Sequence, residues 1–387
     1  MDDVKRENGL LWSTVFVFSI AGFCETVIGN FVPFLREAYG FDYEFAGLLI
    51  SSASVGGFVA VILSGILPSY LGRKISIMFW SLWIVIGYAI LGVGISVPIL
   101  LLIAFFGTGV SRGGSANFSS TMMALLSPKN SSRGFLLVHG GFAIGALLSP
   151  LLLVYLVANG FSWKVMAGIL CGLATIRLLY YIKMDIPEIE RKEKGISAKE
   201  LDFLKDRYFW LGGVILFFYV SVEIGICGWL VTYFQDMGIL SSEISQLTNS
   251  LFWSAMLVGR IVGGVVTNKI KTCTLLVINA FGMTVFIFVM LLSTSTISAL
   301  FGLAGVSFFM ATMYPATYGF GSTNLGGNDF GCSMLNLLPS LGSVIAPALV
   351  GLVAGKWGIQ MGMGLLAVYT VVLLIVVLFT AWIMRKH

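Results

Sequence analysis

Glu25 and Glu223 are the acidic residues set deep inside the apolar stretches of this chain, 198 positions apart in a sequence of 387. One lies in FCETVIGNFVPFL, the other in VEIGICGWLVTYF. A charge at the centre of a membrane helix costs on the order of 2.5–3.5 kcal/mol on insertion scales, so such an acid is a functional-site candidate by default. The chemistry it suits is proton carriage, because a nearby cation or an arriving solute can switch a carboxyl in a low-dielectric cavity between its charged and neutral forms. Three arginines share the apolar stretches: Arg112, Arg177 and Arg260. Arg177 and Arg260 lie toward the basic ends of their segments and read as snorkelling side chains. Arg112 is mid-segment and needs a carboxylate, a bound anion or water. It is either a fixed partner of Glu25 or Glu223, or a bidentate clamp on the carboxylate or phosphate of an anionic solute. The sharper expectation pairs Glu25 with Arg112 as the proton switch and places Glu223 nearer the solute.

Other polar and aromatic residues extend the candidate site. Tyr219 precedes Glu223 by one helical turn and shares its face. Asn336, Ser340 and Ser343 recur at i, i+4 and i+7 and form a polar stripe in an apolar segment. Asn30, Asn117, Trp229 and Tyr314 offer the hydrogen bonds and ring faces that sugars favour. Blander roles stand beside these: interface aromatics for Trp229 and Tyr233, and interhelical hydrogen bonds for Asn117 and the serines. His139 is either a structural hydrogen-bonder or a proton relay.

The elements that hold these residues follow from composition. Hydrophobic residues make up 58% and charged residues 11% of the chain, against roughly 25% charged in soluble domains. Apolar runs of about 20 residues, enough to cross a bilayer, recur twelve times, near 10–35, 45–70, 75–95, 98–126, 133–158, 162–183, 208–235, 247–268, 272–293, 296–321, 330–355 and 358–384. Unbroken runs exclude a membrane β-barrel, so the expected fold is an all-α integral membrane protein. Basic residues crowd the loops on the side of both termini, which places the termini in the cytoplasm of a cell-membrane protein. That bias accounts for the net charge of +5, so nucleic acid is not an expected partner; lipid headgroups are. The five cysteines lack metal-ligand spacing and read as small core residues. No phosphate-binding glycine loop, metal cluster or activated nucleophile is legible, so neither an enzyme nor an ATP-driven pump is expected.

The charged stretch at 184–207 interrupts the apolar pattern at mid-chain and reads as a solvated linker. It separates an N-terminal six-helix bundle (1–183) from a C-terminal one (208–387). The two resemble each other: Gly134, His139, Gly145 and Pro150 align with Gly331, Asn336, Gly342 and Pro347 in one ungapped register. Parallel six-span repeats with a midplane site are a recurring transporter design.

The connection between the second and third runs, GILPSYLGRK, carries Gly65, Leu67, Gly72, Arg73 and Lys74 in the spacing of a loop signature. It resembles the signature of the major facilitator superfamily, with Ser69 in place of the family's aspartate. GxGV at Gly107–Val110, the polar stretch SRGGSANFSS and MYP at Met313–Pro315 make the chain similar to the fucose-permease-like sugar–proton symporters. The resemblance implies two six-helix repeats, alternating access, and a gating loop in which Gly65, Ser69, Gly72, Arg73 and Arg260 act. It departs in the fourth span, where Arg112 stands at the family's second acid. The expected activity is uptake of a small polar solute, a sugar or sugar derivative that is neutral or anionic. A monomer would carry it out with the proton as coupling ion and no cofactor. Proton-coupled efflux of drugs or organic anions is the alternative within transport, and a receptor or scaffold the alternative outside it.

Overall fold

A computed structural model of the chain describes residues 2–64, 66–126, 131–186, 198–266, 269–325, 331 and 334–385. Among them, twelve helices are long and apolar enough to cross a membrane. We number these spans α1 (Gly9–Tyr39), α2 (Tyr43–Ser64), α3 (Arg73–Val93), α4 (Pro98–Ala116), α5 (Leu137–Ala158), α6 (Trp163–Lys183), α7 (Arg207–Asp236), α8 (Ser242–Val266), α9 (Thr272–Leu291), α10 (Thr296–Gly321), α11 (Leu337–Trp357) and α12 (Ile359–Met384). The chain clusters into two compact units. The first comprises Met1–Gly40 and Ser52–Lys192, the second Phe41–Ser51 and Glu193–His387.

Helices in lipid gain little from burying apolar surface, so close backbone approach and hydrogen bonding hold them together. In the first unit α1 packs against α4, α5 and α6, and α3 against α4 and α6. In the second, α7 packs against α10, α11 and α12, and α9 against α10 and α12. The pattern repeats six spans on. The aligned glycines repeat it in atomic detail: a Cβ at Gly145 would collide with the Ser19 carbonyl of α1, and one at Gly342 would sit 2.5 Å from the Phe217 carbonyl of α7. Ser19 and Phe217 are themselves 198 apart. Pro150 and Pro347, the aligned prolines, both lie inside their helices.

Two spans are broken, each where the backbone chemistry requires it. The first segment of α1 ends at Glu25, a 3₁₀ turn covers Ile28–Asn30, and helix resumes at Phe31. Pro33 falls in the first turn of the resumed segment, where its missing N–H is tolerated. Side chains take up carbonyls near the break: Thr26 Oγ1 donates to the Gly22 oxygen at 2.8 Å, and the Tyr88 hydroxyl donates to the Cys24 oxygen. α10 breaks between Met310 and Met313, because Pro315 supplies no N–H to the carbonyl four residues back and crowds it.

The mid-chain linker is less solvated than its charge implies. Met184 and Ile186 are buried in an apolar cluster of the first unit with Phe118 and Tyr181. Phe203 is buried with Phe209 and Leu216 in the second. Asp206 then caps α7, accepting from the Tyr208 N–H at 3.0 Å. Each described end of the linker therefore folds onto the unit beside it.

The tightest packing lies between α2 and α4, where a Cβ on Gly109 would overlap the Ala53 carbonyl. Gly109→Val is expected to lower the thermal midpoint of the detergent-solubilised protein by the equivalent of about 1–3 kcal/mol, as overpacking does. Gly172→Ala, where nothing lies within 4 Å, is expected to leave it unchanged. Equal midpoints for the two variants would refute the close approach.

Candidate functional site

The first unit is organised around Glu25. Its carboxylate is buried and its partner is Arg177, with Nη1 2.9 Å from Oε1 and both side chains essentially inaccessible. Ser111 and Ser115, one turn apart on α4, each donate to Oε1 at 3.1 Å and accept from Arg177 Nη2 at 2.7 and 3.1 Å. Ser81 of α3 accepts a further bond from Nη2 at 3.3 Å. Four spans thus meet at one charge pair. Desolvating two ions is compensated only when geometry is close and remaining donors are satisfied, and the hydroxyls help to meet that condition. Arg177 also lies beside the C-terminal end of the first segment of α1, where exposed carbonyls favour a cation.

This corrects two expectations. Glu25 is not paired with Arg112, and Arg177 does not snorkel. The reason is the direction in which helical side chains lean, which is toward the helix N-terminus. α6 begins at Trp163 and ends at the basic Lys183, so Arg177 leans away from the basic end and into the bundle. α1 runs antiparallel to it, as the pairs Ser13–Tyr180, Cys24–Leu170 and Phe31–Trp163 record. Glu25 therefore leans the opposite way, and the two charges converge. Ser81, Ser111, Ser115 and Tyr88 were not singled out by sequence; the i, i+4 spacing of Ser111 and Ser115 was the available signal.

Arg112 lies on α4, partly exposed. Among the described residues no hydrogen bond or ion pair is made to it. His139 is partly buried on α5, and Asn30 is buried within the 3₁₀ turn. The side chain of Asn117 lies outside the described residues, as do Gly65 and the side chain of Ser69. Of the loop signature, Gly72 joins a short helix (Leu67–Leu71) to α3 with φ 81°, a conformation that only glycine adopts without strain. The Gly72 carbonyl accepts from the Ser76 hydroxyl at 2.7 Å.

The second unit gathers most of its expected residues. The buried Tyr219 hydroxyl is hydrogen-bonded to the half-buried Glu223, in the field of Arg260. The Tyr219 ring lies 6.1 Å from that of Tyr314. The Tyr314 hydroxyl donates to Asn336 Oδ1 at 2.7 Å, and the ring stacks on Tyr318. A carboxylate, an amide and two phenols from α7, α10 and the start of α11 therefore form one polar patch. Ser340 stands beside it, but its hydroxyl is spent on the Asn336 carbonyl at 2.7 Å, and that of Ser343 on Ser340. Arg260 is exposed, with Nη2 3.4 Å from Met256 Sδ. Trp229 is fully buried; its N–H donates to the Pro347 carbonyl at 3.1 Å and locks α7 to α11. It is packing, not a sugar platform. Tyr233 is likewise buried, not an interface aromatic.

A family model described as Major Facilitator Superfamily matches residues 14–335. A putative glucose/galactose transporter of Helicobacter pylori is 26% identical over 377 residues, covering 90% of each chain. Among solved structures, a D-xylose–proton symporter superposes with a TM-score of 0.77 at 16% identity, over 95% of this chain and 96% of its own. The E. coli fucose–proton symporter does so at 0.65 and 18%, over 96% and 97%. At these identities the structures establish the fold.

The Glu25–Arg177 pair makes a stability prediction. Arg177→Met strands a buried carboxylate and is expected to cost about 3–5 kcal/mol, read as a lowered thermal midpoint. The double variant Glu25→Gln/Arg177→Met is expected to recover more than half of that loss. If the two single effects simply add, the pair is not coupled.

Proposed function

The chain belongs to the major facilitator superfamily, and from that premise we propose that it moves a sugar or sugar derivative across the cytoplasmic membrane by proton-coupled alternating access. Membership makes it a multi-pass membrane transporter rather than an enzyme. The observation that carries the finer reading is the patch formed by Glu223, Tyr219, Tyr314 and Asn336. Phenol rings and amides suit a polyhydroxylated ring, which needs flat apolar faces and paired donors and acceptors. The sugar named for the Helicobacter relative, and the sugar and proton named for the two symporters, agree with this reading.

The two acids divide the work. Loss of either charge of the Glu25–Arg177 pair would strand the other in the interior without its counter-ion. Glu25 accordingly serves as a structural pin. Glu223, half-buried and bonded to a phenol, carries the coupling proton and releases it as solute binding rearranges the patch. Both termini lie in the cytoplasm, on the side of the basic loops.

Reconstitution in liposomes tests this. An inward proton gradient is expected to drive accumulation of a neutral hexose, while sugar acids and cationic drugs run in parallel. Glu223→Gln is expected to reduce gradient-driven accumulation at least ten-fold and to retain exchange at equal pH. Uptake of drugs alone, or of nothing, sinks the sugar reading. Full proton dependence in Glu223→Gln removes that residue from the coupling role.

A further inference from the structure

We propose that Arg112 binds a carboxylate on the transported solute, so that the preferred substrate is a monoanionic sugar acid. The inference rests on the sugar-transport reading above and narrows its substrate class.

α4 presents a different neighbour in each direction. Successive residues turn about 100° around a helix, and the packing partners of α4 mark out its sectors. Gly109 and Gly113 lie against Ala53, Gly57 and Ala60 of α2. Gly107 and Gly114 lie against Trp83 and Trp80 of α3. Ser111 and Ser115 face the Glu25–Arg177 pair. The remaining sector holds Arg112 and, one turn on, Ala116; Arg112 is partly exposed and Ala116 exposed. The helix that contains α4 continues past Ala116 to Leu126, so Arg112 is fourteen residues from either end of that helix. At 1.5 Å per residue that is roughly 21 Å, beyond the reach of a snorkelling side chain. A guanidinium at that depth is costly in hydrocarbon and calls for water or an anion.

What meets its charge is then a matter of accounting within the first unit. The acid deep in its spans, Glu25, is held by Arg177 and two hydroxyls. Two deep cations against one acid leave a net positive charge on Arg112. A guanidinium forks onto a carboxylate with two parallel bonds, and Gly57 leaves room beside it: a Cβ there would be 4.0 Å from Nη2. Among the described residues of the first unit this leaves one deep cation without an ion pair, and a single positive charge favours a carboxylate over a doubly charged phosphate.

The test uses purified full-length protein in liposomes. Exchange of labelled glucuronate, glucose and glucose 6-phosphate is compared for wild type, Arg112→Gln and Arg112→Lys. In the wild type, glucuronate is expected to exchange with a lower KM than glucose, and glucose 6-phosphate poorly. Arg112→Gln is expected to raise the KM for glucuronate at least ten-fold more than that for glucose. Arg112→Lys keeps the charge but loses the fork, and is expected to fall between. Equal losses on glucose and glucuronate, or a wild type that prefers glucose, overturn the proposal while leaving sugar transport standing. A preference for the phosphate overturns the carboxylate assignment. Absence of exchange with any of the three sinks the sugar reading and this proposal with it.

Discussion

The buried ion pair between Glu25 and Arg177 is the constraint around which the first unit is arranged. It gathers α1, α3, α4 and α6 at one point, because two charges in the interior need the hydrogen bonds that hydroxyls from α3 and α4 supply to Nη2 and to the carboxylate. The break in α1 belongs to the same arrangement. It ends a helical segment at Glu25 and presents carbonyls that Thr26, Tyr88 and the nearby guanidinium satisfy or offset. The glycines on the other faces of α4 let α2 and α3 come close enough to keep the polar faces enclosed.

The second unit reuses the packing and changes the chemistry. α7 meets α11 as α1 meets α5, and the equivalent glycines make the equivalent contacts. Yet α7 is continuous through Glu223, and that acid is bonded to the Tyr219 phenol. In the first unit the acid and its guanidinium depend on each other, because removing one strands the other. The two units therefore share one packing frame and differ in what surrounds the acid placed in each.

The glycines are as much a part of this design as the charges. Oxygen atoms of the neighbouring helix sit where a Cβ would be at Gly56, Gly87, Gly107 and Gly145. Such approaches bring backbones into van der Waals contact, the attraction that remains when lipid removes the hydrophobic advantage of burial.

Much of this was legible in the sequence, and for identifiable reasons. Length and hydropathy determined the twelve spans, because a bilayer accepts little except helices of that length. The ungapped register of Gly145 with Gly342 disclosed the repeat, since a close contact tolerates only glycine. The grouping of Tyr219 and Glu223 followed from helical spacing, which is local. Partnership, by contrast, emerges only when the helices pack. Which acid meets which base depends on helix direction and rotation, and these are set by neighbours remote in sequence. Arg177 is 152 residues from Glu25, and distance from a helix end says nothing of the way a side chain leans. The same blindness made Trp229 look like a binding residue when its N–H belongs to Pro347. The sequence by itself determined the spans, the repeat and which charges lie within the membrane. The three-dimensional packing set which of those charges meet one another, because that depends on contacts across helices.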